Sequence, residues 1–281
     1  MGAIIVAFFL TPSTLASNLG GYIQVDYRED FKLERARISL DRSKGFTGYR
    51  LEFGLEDEVE LLDVLIRLDI FKRTHIEVGK MKPPFSREQI LSPLELKFSL
   101  YPWISSLFHP EERKLGARAS VEVSPFKLLG GLFSPKGKEI LLGFSFEPMD
   151  ILEIRIIHYL MGNLPLTSAL FSLEGGQGRS SASFVGEAIF GEGAGSGFYF
   201  LTSYSFETYN PVIPRIELAF RYETFSTEVS FRSWEEYRFS LGLSFYIGKE
   251  KDKASLNWYL PSKGDGELMA RIQLSFKEEG E

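Results

Sequence analysis

The sequence has no cysteine and only three histidines in 281 residues. Without cysteine the chain cannot form a disulfide, bind zinc through thiolates or use a thiol nucleophile. The histidines stand far apart, and none has a second histidine or a carboxylate at the spacing of metal ligands. We therefore expect no metal site and no cofactor.

Basic clusters and long apolar runs are also missing. The 32 basic residues are scattered among 38 acidic ones, and the formal net charge is −6. This balance argues against a nucleic-acid surface. No interior segment approaches the ~20 apolar residues of a membrane-spanning helix. A helical membrane protein is thereby excluded, whereas a β-barrel stays open because its strands are half polar.

One apolar run does stand at the start of the chain. Residues Ala3–Leu10 read AIIVAFFL, and Leu15-Ala16-Ser17 follow shortly after. This order resembles the apolar region and small-residue cleavage site of a secretory signal. We expect residues 1–17 to be an export signal and 18–281 to form a single barrel domain. The alternative is a buried N-terminal strand or helix.

Alternation of apolar and polar residues runs through the rest of the chain. Leu241, Leu243 and Phe245, for example, alternate with Gly242 and Ser244, which is the period of a β-strand. The segments are about ten to twelve residues long, the tilted crossing length of a bilayer and longer than the usual ~5–6 of soluble strands. A soluble sandwich or barrel buries the apolar face, whereas a membrane barrel turns it to lipid. Strand length, terminal aromatic residues and mixed Arg and Glu on the polar face favour the membrane barrel.

Counting these segments predicts an all-β, antiparallel transmembrane barrel of about sixteen strands, an even number as single-chain barrels require. The predicted strands are 21–28, 31–42, 46–57, 60–71, 74–81, 113–123, 126–133, 138–147, 150–160, 166–174, 180–191, 195–206, 214–224, 236–247, 252–260 and 266–276. Ser226–Glu236 is interpreted as an outward loop, because a further strand would break the parity.

The alternation stops between Gly79 and Gly116, for longer than an ordinary connection. Five prolines in this stretch exclude a pair of strands, and its aromatic and aliphatic residues need a surface to pack on. Between the fifth and sixth strands it becomes the third outward loop. Since sixteen strands leave an aqueous channel, we expect this loop to fold into the lumen as a plug or constriction.

Several short motifs resemble the phosphate-selective porin O and P family. They are Gly79–Gln89 with Leu91-Ser92-Pro93, Arg113-Lys114-Leu115-Gly116, Gly21-Tyr22-Ile23-Gln24, the strand Leu33–Leu40, and the final strands with Leu241–Tyr246 and Arg271–Phe276. The likeness extends over nearly the whole chain after the signal. It implies a sixteen-stranded porin in a Gram-negative-type outer membrane, a homotrimer in contact with outer-membrane lipid. Its solutes would be small and hydrophilic, with anions such as phosphate leading.

Charged residues near the predicted constriction are the candidate site. The pore-lining candidates are Lys80, Lys82, Arg87, Glu88, Arg113, Lys114 and Arg118. Rings of basic side chains attract anions, although Arg87 and Glu88 would equally serve to pin the loop to the wall. Four further arginines are predicted to face the lumen: Arg35, Arg37, Arg50 and Arg67. They form an arginine track or pair with Glu52, Asp63 and Asp69, and we favour the pairing.

Three other functions remain open at this point. A structural or adhesive barrel would have its lumen closed by the long loop and conduct nothing. An outer-membrane hydrolase would need a serine and an amide beside a histidine on the outer face, where His158 is the only candidate. A soluble secreted β-protein is the third. We expect a channel and no enzymatic activity.

Overall fold

β-strands make up most of the computed structural model. It describes residues 18–278 except 56–57, 72, 93, 109–112, 135–138, 193, 230–231 and 249–251. The predicted export signal, residues 1–17, lies outside the described residues and stays a prediction.

Sixteen strands and two short helices follow one another in the described residues. The strands are β1 (Asn18–Tyr27), β2 (Phe31–Lys44), β3 (Thr47–Gly54), β4 (Glu60–Phe71), β5 (Thr74–Met81), β6 (Lys114–Val123), β7 (Phe126–Ser134), β8 (Glu139–Met149), β9 (Leu152–Met161), β10 (Leu164–Gln177), β11 (Ser180–Gly191), β12 (Gly195–Glu207), β13 (Arg215–Val229), β14 (Arg232–Tyr246), β15 (Lys253–Pro261) and β16 (Glu267–Glu278). Helices α1 (Arg87–Ile90) and α2 (Trp103–Phe108) lie between β5 and β6.

The strands form one closed antiparallel barrel. Each pairs with its neighbours in the chain, and β1 pairs with β16 to complete the ring. The prediction of an all-β barrel with sixteen antiparallel strands is confirmed. Neither helix in the described part of the chain is long and apolar enough to cross a membrane.

The predicted loop Ser226–Glu236 is wrong. Strand β13 continues to Val229 and β14 begins at Arg232, with Ser226 opposite Glu235 and only two residues left between the strands. Both strands are therefore longer than predicted, and the even number of strands is kept without a loop.

Each strand has one exposed face and one covered face, as β16 shows. Leu268, Ile272 and Leu274 are 57%, 48% and 52% exposed, whereas Arg271 and Gln273 between them are 3% and 0% exposed. Large apolar side chains repeat in this way around the ring. We call the two sets of side chains the exposed face and the covered face.

The covered face is not polar throughout. Across β7–β12 it carries a band of buried apolar side chains: Phe133, Leu141, Ile157, Leu166, Ile189 and Leu201. Phe85, Phe98 and Ile104 of the β5–β6 connection belong to the same core. The buried charged side chains of the described strands lie instead on β1–β6 and β13–β16, with the exception of Glu187 on β11. The connection thus has an apolar surface to pack on, which its own composition requires.

Gly79 is required by the geometry of β5. Its φ is +146°, and a Cβ at this position would lie 1.8 Å from the Val64 carbonyl oxygen. Gly79→Ala should therefore lower the barrel's stability by roughly 1–3 kcal/mol, the cost of a strained backbone. Gly130→Ala is the matched control, because a Cβ there meets no atom within 4 Å.

The measurement is the temperature at which the folded form disappears on SDS gels. Gly79→Ala should lower this temperature, and Gly130→Ala should leave it near that of the natural sequence. Equal midpoints for the two variants would contradict the steric argument.

Candidate functional site

The connection between Met81 and Lys114, residues 82–113, is here called the β5–β6 segment. Its first anchor is the fully buried carboxylate of Glu187 on β11. This carboxylate accepts hydrogen bonds from Ser86 Oγ (2.9 Å), the Arg87 backbone N (3.2 Å), Ser168 Oγ (2.5 Å) and the Tyr199 hydroxyl (2.8 Å). One buried carboxylate therefore joins the start of α1 to three strands.

Helix α1 carries two further charged residues, predicted from the sequence as site residues. The guanidinium of Arg87 forms an ion pair with Glu174 on β10 and lies 3.5 Å from the carboxyl of Glu88. Glu88 is 1% exposed, and neither oxygen of its carboxyl has a hydrogen-bond partner among the described residues. Burial raises the pKa of Glu88. Arg87 thus contacts the wall through an exposed ion pair, while Glu88 occupies a site unfavourable to its charged form.

A second set of anchors comes from β13 and β14. The backbone N of Trp103 donates to Glu223 (2.6 Å), and Arg238 donates to the same carboxylate (2.5 Å) and to the Tyr101 carbonyl (3.2 Å). The Arg238 guanidinium also lies 4.3 Å from the centre of the Trp103 ring. Irregular backbone has no ladder partners, so these side chains satisfy its donors and acceptors.

The middle of the segment is held in the same manner by β13, β15 and β16. Five hydrogen bonds hold it, and the first-named residue is the donor in each: Arg221 to the Leu100 carbonyl (2.9 Å), Lys97 to Glu217 (2.5 Å), Lys253 to the Leu96 carbonyl (2.5 Å), Asn257 to Ser99 Oγ (2.7 Å) and Gln273 to the Leu94 carbonyl (3.3 Å). Every one of these strand residues lies on the covered face. The segment is therefore bound to much of the barrel circumference.

The predicted arginines Arg37 and Arg113 share a network with two carboxylates. Arg37 donates to Glu52 (2.9 Å), and Arg113 donates to Asp63 (2.6 Å) and to Glu52 (3.2 Å). Arg37 thus pairs with Glu52, one of the three carboxylates named for the pairing alternative, whereas Asp63 pairs with Arg113. Two cations face two anions here, so the cluster is balanced in charge.

Three more predicted arginines lie on the covered face beside carboxylates. Arg50 pairs with Asp41 (2.6 Å), and Arg67 pairs with Glu77 (2.6 Å). Arg118 forms an ion pair with the same Glu77. Glu77 thus receives two guanidinium groups.

Three more predicted cations contact either a carboxylate or an aromatic ring. Lys114 pairs with Glu139 at 2.8 Å. Arg35 and Lys82 lie 5.4 Å and 5.7 Å from the centre of the Tyr101 ring, a distance typical of cation–π contact. Tyr101 therefore links the segment to charges from β2 and from its own start.

Lys80 does not join these residues. It is opposite Leu115 on β6 and in phase with Val78 on β5, and both of these side chains belong to the exposed face. Its ammonium donates to the Leu61 carbonyl (2.7 Å) and lies 3.5 Å from Glu60. The prediction that Lys80 lines the pore is therefore corrected, because strand β5 runs to Met81 and fixes the phase of Lys80.

Three cavities adjoin the segment on its β1–β10 side. The first, of about 390 Å³, has five basic and three acidic side chains: Arg37, Arg50, Lys82, Arg113, Arg118, Asp41, Glu52 and Asp63. The second, also about 390 Å³, has four of each: Arg67, Arg118, Lys127, Arg155, Glu77, Glu122, Glu147 and Glu153. The third, of about 530 Å³, has three basic and five acidic: Arg73, Arg87, Lys127, Glu122, Glu147, Asp150, Glu153 and Glu174.

The three cavities share lining residues and so form a series. Pro84, Ile90 and Arg118 line both the first and the second cavity. Glu122 and Lys127 line both the second and the third. The charge of the lining changes along the series from basic, through balanced, to acidic.

No group of three or more metal-ligating side chains occurs in the described part of the chain. His158 is exposed, and its Nδ1 is 3.0 Å from Thr167 Oγ1. That contact is with a threonine, whereas the hydrolase alternative needs a serine.

Sequence reasoning missed the anchors Glu187, Glu223, Arg238 and Asn257 as site residues. The segment residues that Glu223, Arg238 and Asn257 contact lie more than a hundred residues away in the sequence. Glu187 had a usable signal, since it is the only charged residue within Ser180–Gly191. A lone carboxylate in an apolar strand needs a partner when it is buried.

No family model matches the chain, and no curated protein sequence matches it. Solved structures do. OmpT, an outer membrane protein of Vibrio cholerae in a trimer form, is 10% identical with a TM-score of 0.64 over 93% of this chain and 98% of that one. OccK10 (OpdN) of Pseudomonas aeruginosa is 9% identical, with a TM-score of 0.56 and the same two coverages. OpdK of the same organism, solved with vanillate, is 11% identical with a TM-score of 0.54, again over 93% and 98%.

These likenesses establish the fold. The chain forms a closed sixteen-stranded barrel, and its likeness to these outer-membrane proteins covers nearly its full length. At identities of 9–11% they carry no residue roles.

Proposed function

We propose that the protein is an outer-membrane porin through which small hydrophilic solutes diffuse passively. The exposed apolar face then meets lipid, and the covered face lines the lumen. The β5–β6 segment folds into that lumen as its constriction. The contacts of the segment with β10, β11 and β13–β16 support this placement, because one chain segment reaches all these strands from a single side.

The observation that carries the proposal is the linked series of three charged cavities beside the segment. Packing a barrel for stability alone favours apolar or fully balanced interiors, since buried charge is expensive. Here exposed charged groups such as Arg50 and Arg67, each 49% exposed at the side chain, line open volume instead. A wet lining of this kind suits polar solutes.

Ion preference follows from the order of the charges. The first cavity has two more basic than acidic side chains, and the third has two more acidic than basic. We infer a weak preference for small anions, phosphate among them, set in the first cavity. The resemblance to phosphate-selective porins supports the same direction, and the acidic third cavity explains why the preference is weak.

The proposed function also implies a location, partners and an oligomeric state for the protein. The protein is exported by its N-terminal signal to a Gram-negative-type outer membrane, contacts outer-membrane lipid, needs no cofactor and is not an enzyme. We further propose a homotrimer, which the trimeric form of the structurally similar Vibrio cholerae protein supports.

Planar-bilayer recording tests the proposal. The purified protein should insert in discrete current steps, and its reversal potential in a potassium chloride gradient should show a small excess of chloride over potassium permeability. Insertion without current steps, by protein that shows the heat-modifiable SDS mobility of a folded barrel, would refute the porin.

A barrel with a closed lumen is the second candidate. Buried polar contacts favour it, among them the Arg271–Asp26 ion pair (2.5 Å), whose side chains are 3% and 4% exposed. The absence of current just described is its expected result. Protein without heat-modifiable mobility and without affinity for lipid would instead indicate a soluble secreted β-protein.

A further inference from the structure

The first and second cavities meet at one charged group of side chains. Arg118, on β6, lines both cavities together with Pro84 and Ile90 of the β5–β6 segment. The two segment residues carry no charge. A solute that passes from one cavity to the other therefore encounters the charge of Arg118 and of its partners.

The partners of Arg118 define the charge at this junction. Glu77, only 6% exposed, accepts two hydrogen bonds from Arg67, from Nε (3.0 Å) and Nη2 (2.6 Å), and one from Arg118. The side chains of Arg67 and Arg118 are 49% and 27% exposed. One carboxylate thus neutralises one of two guanidinium groups, and both groups remain accessible from the cavities.

The nearby arginine cluster has a different balance. Arg37 and Arg113 face two carboxylates, Glu52 and Asp63, so that cluster has no excess charge. The junction group has an excess of one positive charge. The junction between the two cavities is accordingly one site where the lining departs from balance.

We propose that Glu77 is the residue that sets the strength of ion selectivity in this protein. Its charge halves the positive charge at the junction and so holds the preference for anions at a low level. Removal of this charge leaves two adjacent guanidinium groups, which turn towards the cavities and attract anions from both sides. The proposal rests on the proposed porin function and adds the residue that tunes it.

Reversal potentials of the variant Glu77→Gln test the proposal. The ratio of chloride to potassium permeability should rise severalfold over that of the natural sequence. Arg118→Gln should change the ratio in the opposite direction. Glu60→Gln is the matched control, since it removes the same charge at the start of β4, where Glu60 lies beside Lys80 outside the three cavities. It should leave the ratio unchanged.

Glu77→Asp guards against a purely structural effect. It keeps the charge in a shorter side chain, and a ratio close to that of the natural sequence would support the electrostatic role. An unchanged ratio in Glu77→Gln, in channels that conduct, overturns the role of Glu77 and leaves the porin standing. Absence of current in the natural sequence itself overturns the porin.

Discussion

Replacing Glu187 by alanine is expected to release the first part of the β5–β6 segment and to raise single-channel conductance severalfold. The substitution removes the shared acceptor of Ser86, Arg87, Ser168 and Tyr199. Each buried donor left without a partner costs about 1–3 kcal/mol. Undocking lets water reach these donors, so the segment moves and the passage widens. Single-channel recording in a planar bilayer gives the measurement.

Two further variants test whether the conductance change in Glu187→Ala comes from the loss of this anchor. Glu187→Gln keeps one acceptor oxygen and should raise conductance less. Glu174→Gln weakens a different contact of the segment, the exposed ion pair to Arg87, and should change conductance little because exposed ion pairs contribute little. Conductance of Glu187→Ala equal to that of the natural sequence would show that this carboxylate does not hold the constriction.

The barrel itself could be predicted because the face on which each side chain lies depends only on neighbouring residues of the same strand. Leu268, Ile272 and Leu274 must share a face wherever β16 lies, since successive side chains of a strand point to opposite sides. Length, alternation and parity then gave the closed antiparallel ring without any knowledge of partners. The same local rule, applied once more, would have assigned Lys80 correctly. It is three positions from Glu77, and therefore on the opposite face of β5.

The apolar band on the covered face also left a trace in the sequence. Ile156 and Ile157 are adjacent on β9, and Leu141 and Leu142 are adjacent on β8. Strands that are apolar on both faces are typical of burial on both sides. Such runs occur in consecutive strands and mark the part of the wall on which an apolar segment packs.

The anchors of the segment had no comparable signal. Trp103 and Glu223 are 120 residues apart, and nothing in the alternation of β13 distinguishes Glu223 from a solvated carboxylate. Irregular backbone presents its donors and acceptors at positions that only its folded path defines. Strand phase predicts which residues are available to such a segment, but the pairing itself depends on tertiary structure.

Docking of the β5–β6 segment is expected to weaken as the pH rises, because of Glu88. Burial raises the pKa of this carboxyl above its ordinary value of 4.5. Arg87 on the same helix, Arg221 on β13 and Lys97 farther along the segment favour its charged form, whereas Glu187 on β11 opposes it. The buried carboxyl also lacks hydrogen-bond partners among the described residues. Desolvation is therefore the largest of the contributions to its pKa, and it raises the pKa.

The direction in which docking changes with pH follows from proton binding to Glu88. Since the docked segment holds the Glu88 proton more tightly than the undocked one, docking is strongest below the ordinary pKa. The free energy that favours docking falls by about 1.4 kcal/mol for each pH unit between the ordinary and the raised pKa of Glu88. Above the raised pKa it no longer changes with pH. Conductance should therefore increase with pH across that window. Glu88→Gln stays uncharged and should remove most of this increase.

A thiol probe separates movement of the segment from other effects of pH on current. Because the chain has no cysteine, Ser105→Cys introduces a single thiol, at a position that is fully buried in the docked segment. Its labelling rate should rise with pH more steeply than that of Ser106→Cys, the exposed neighbour in α2, which corrects for ionisation of the thiol itself. With Glu88→Gln in the background the two rates should rise in parallel. A steep rise that persists in that background would assign the pH response to a group other than Glu88.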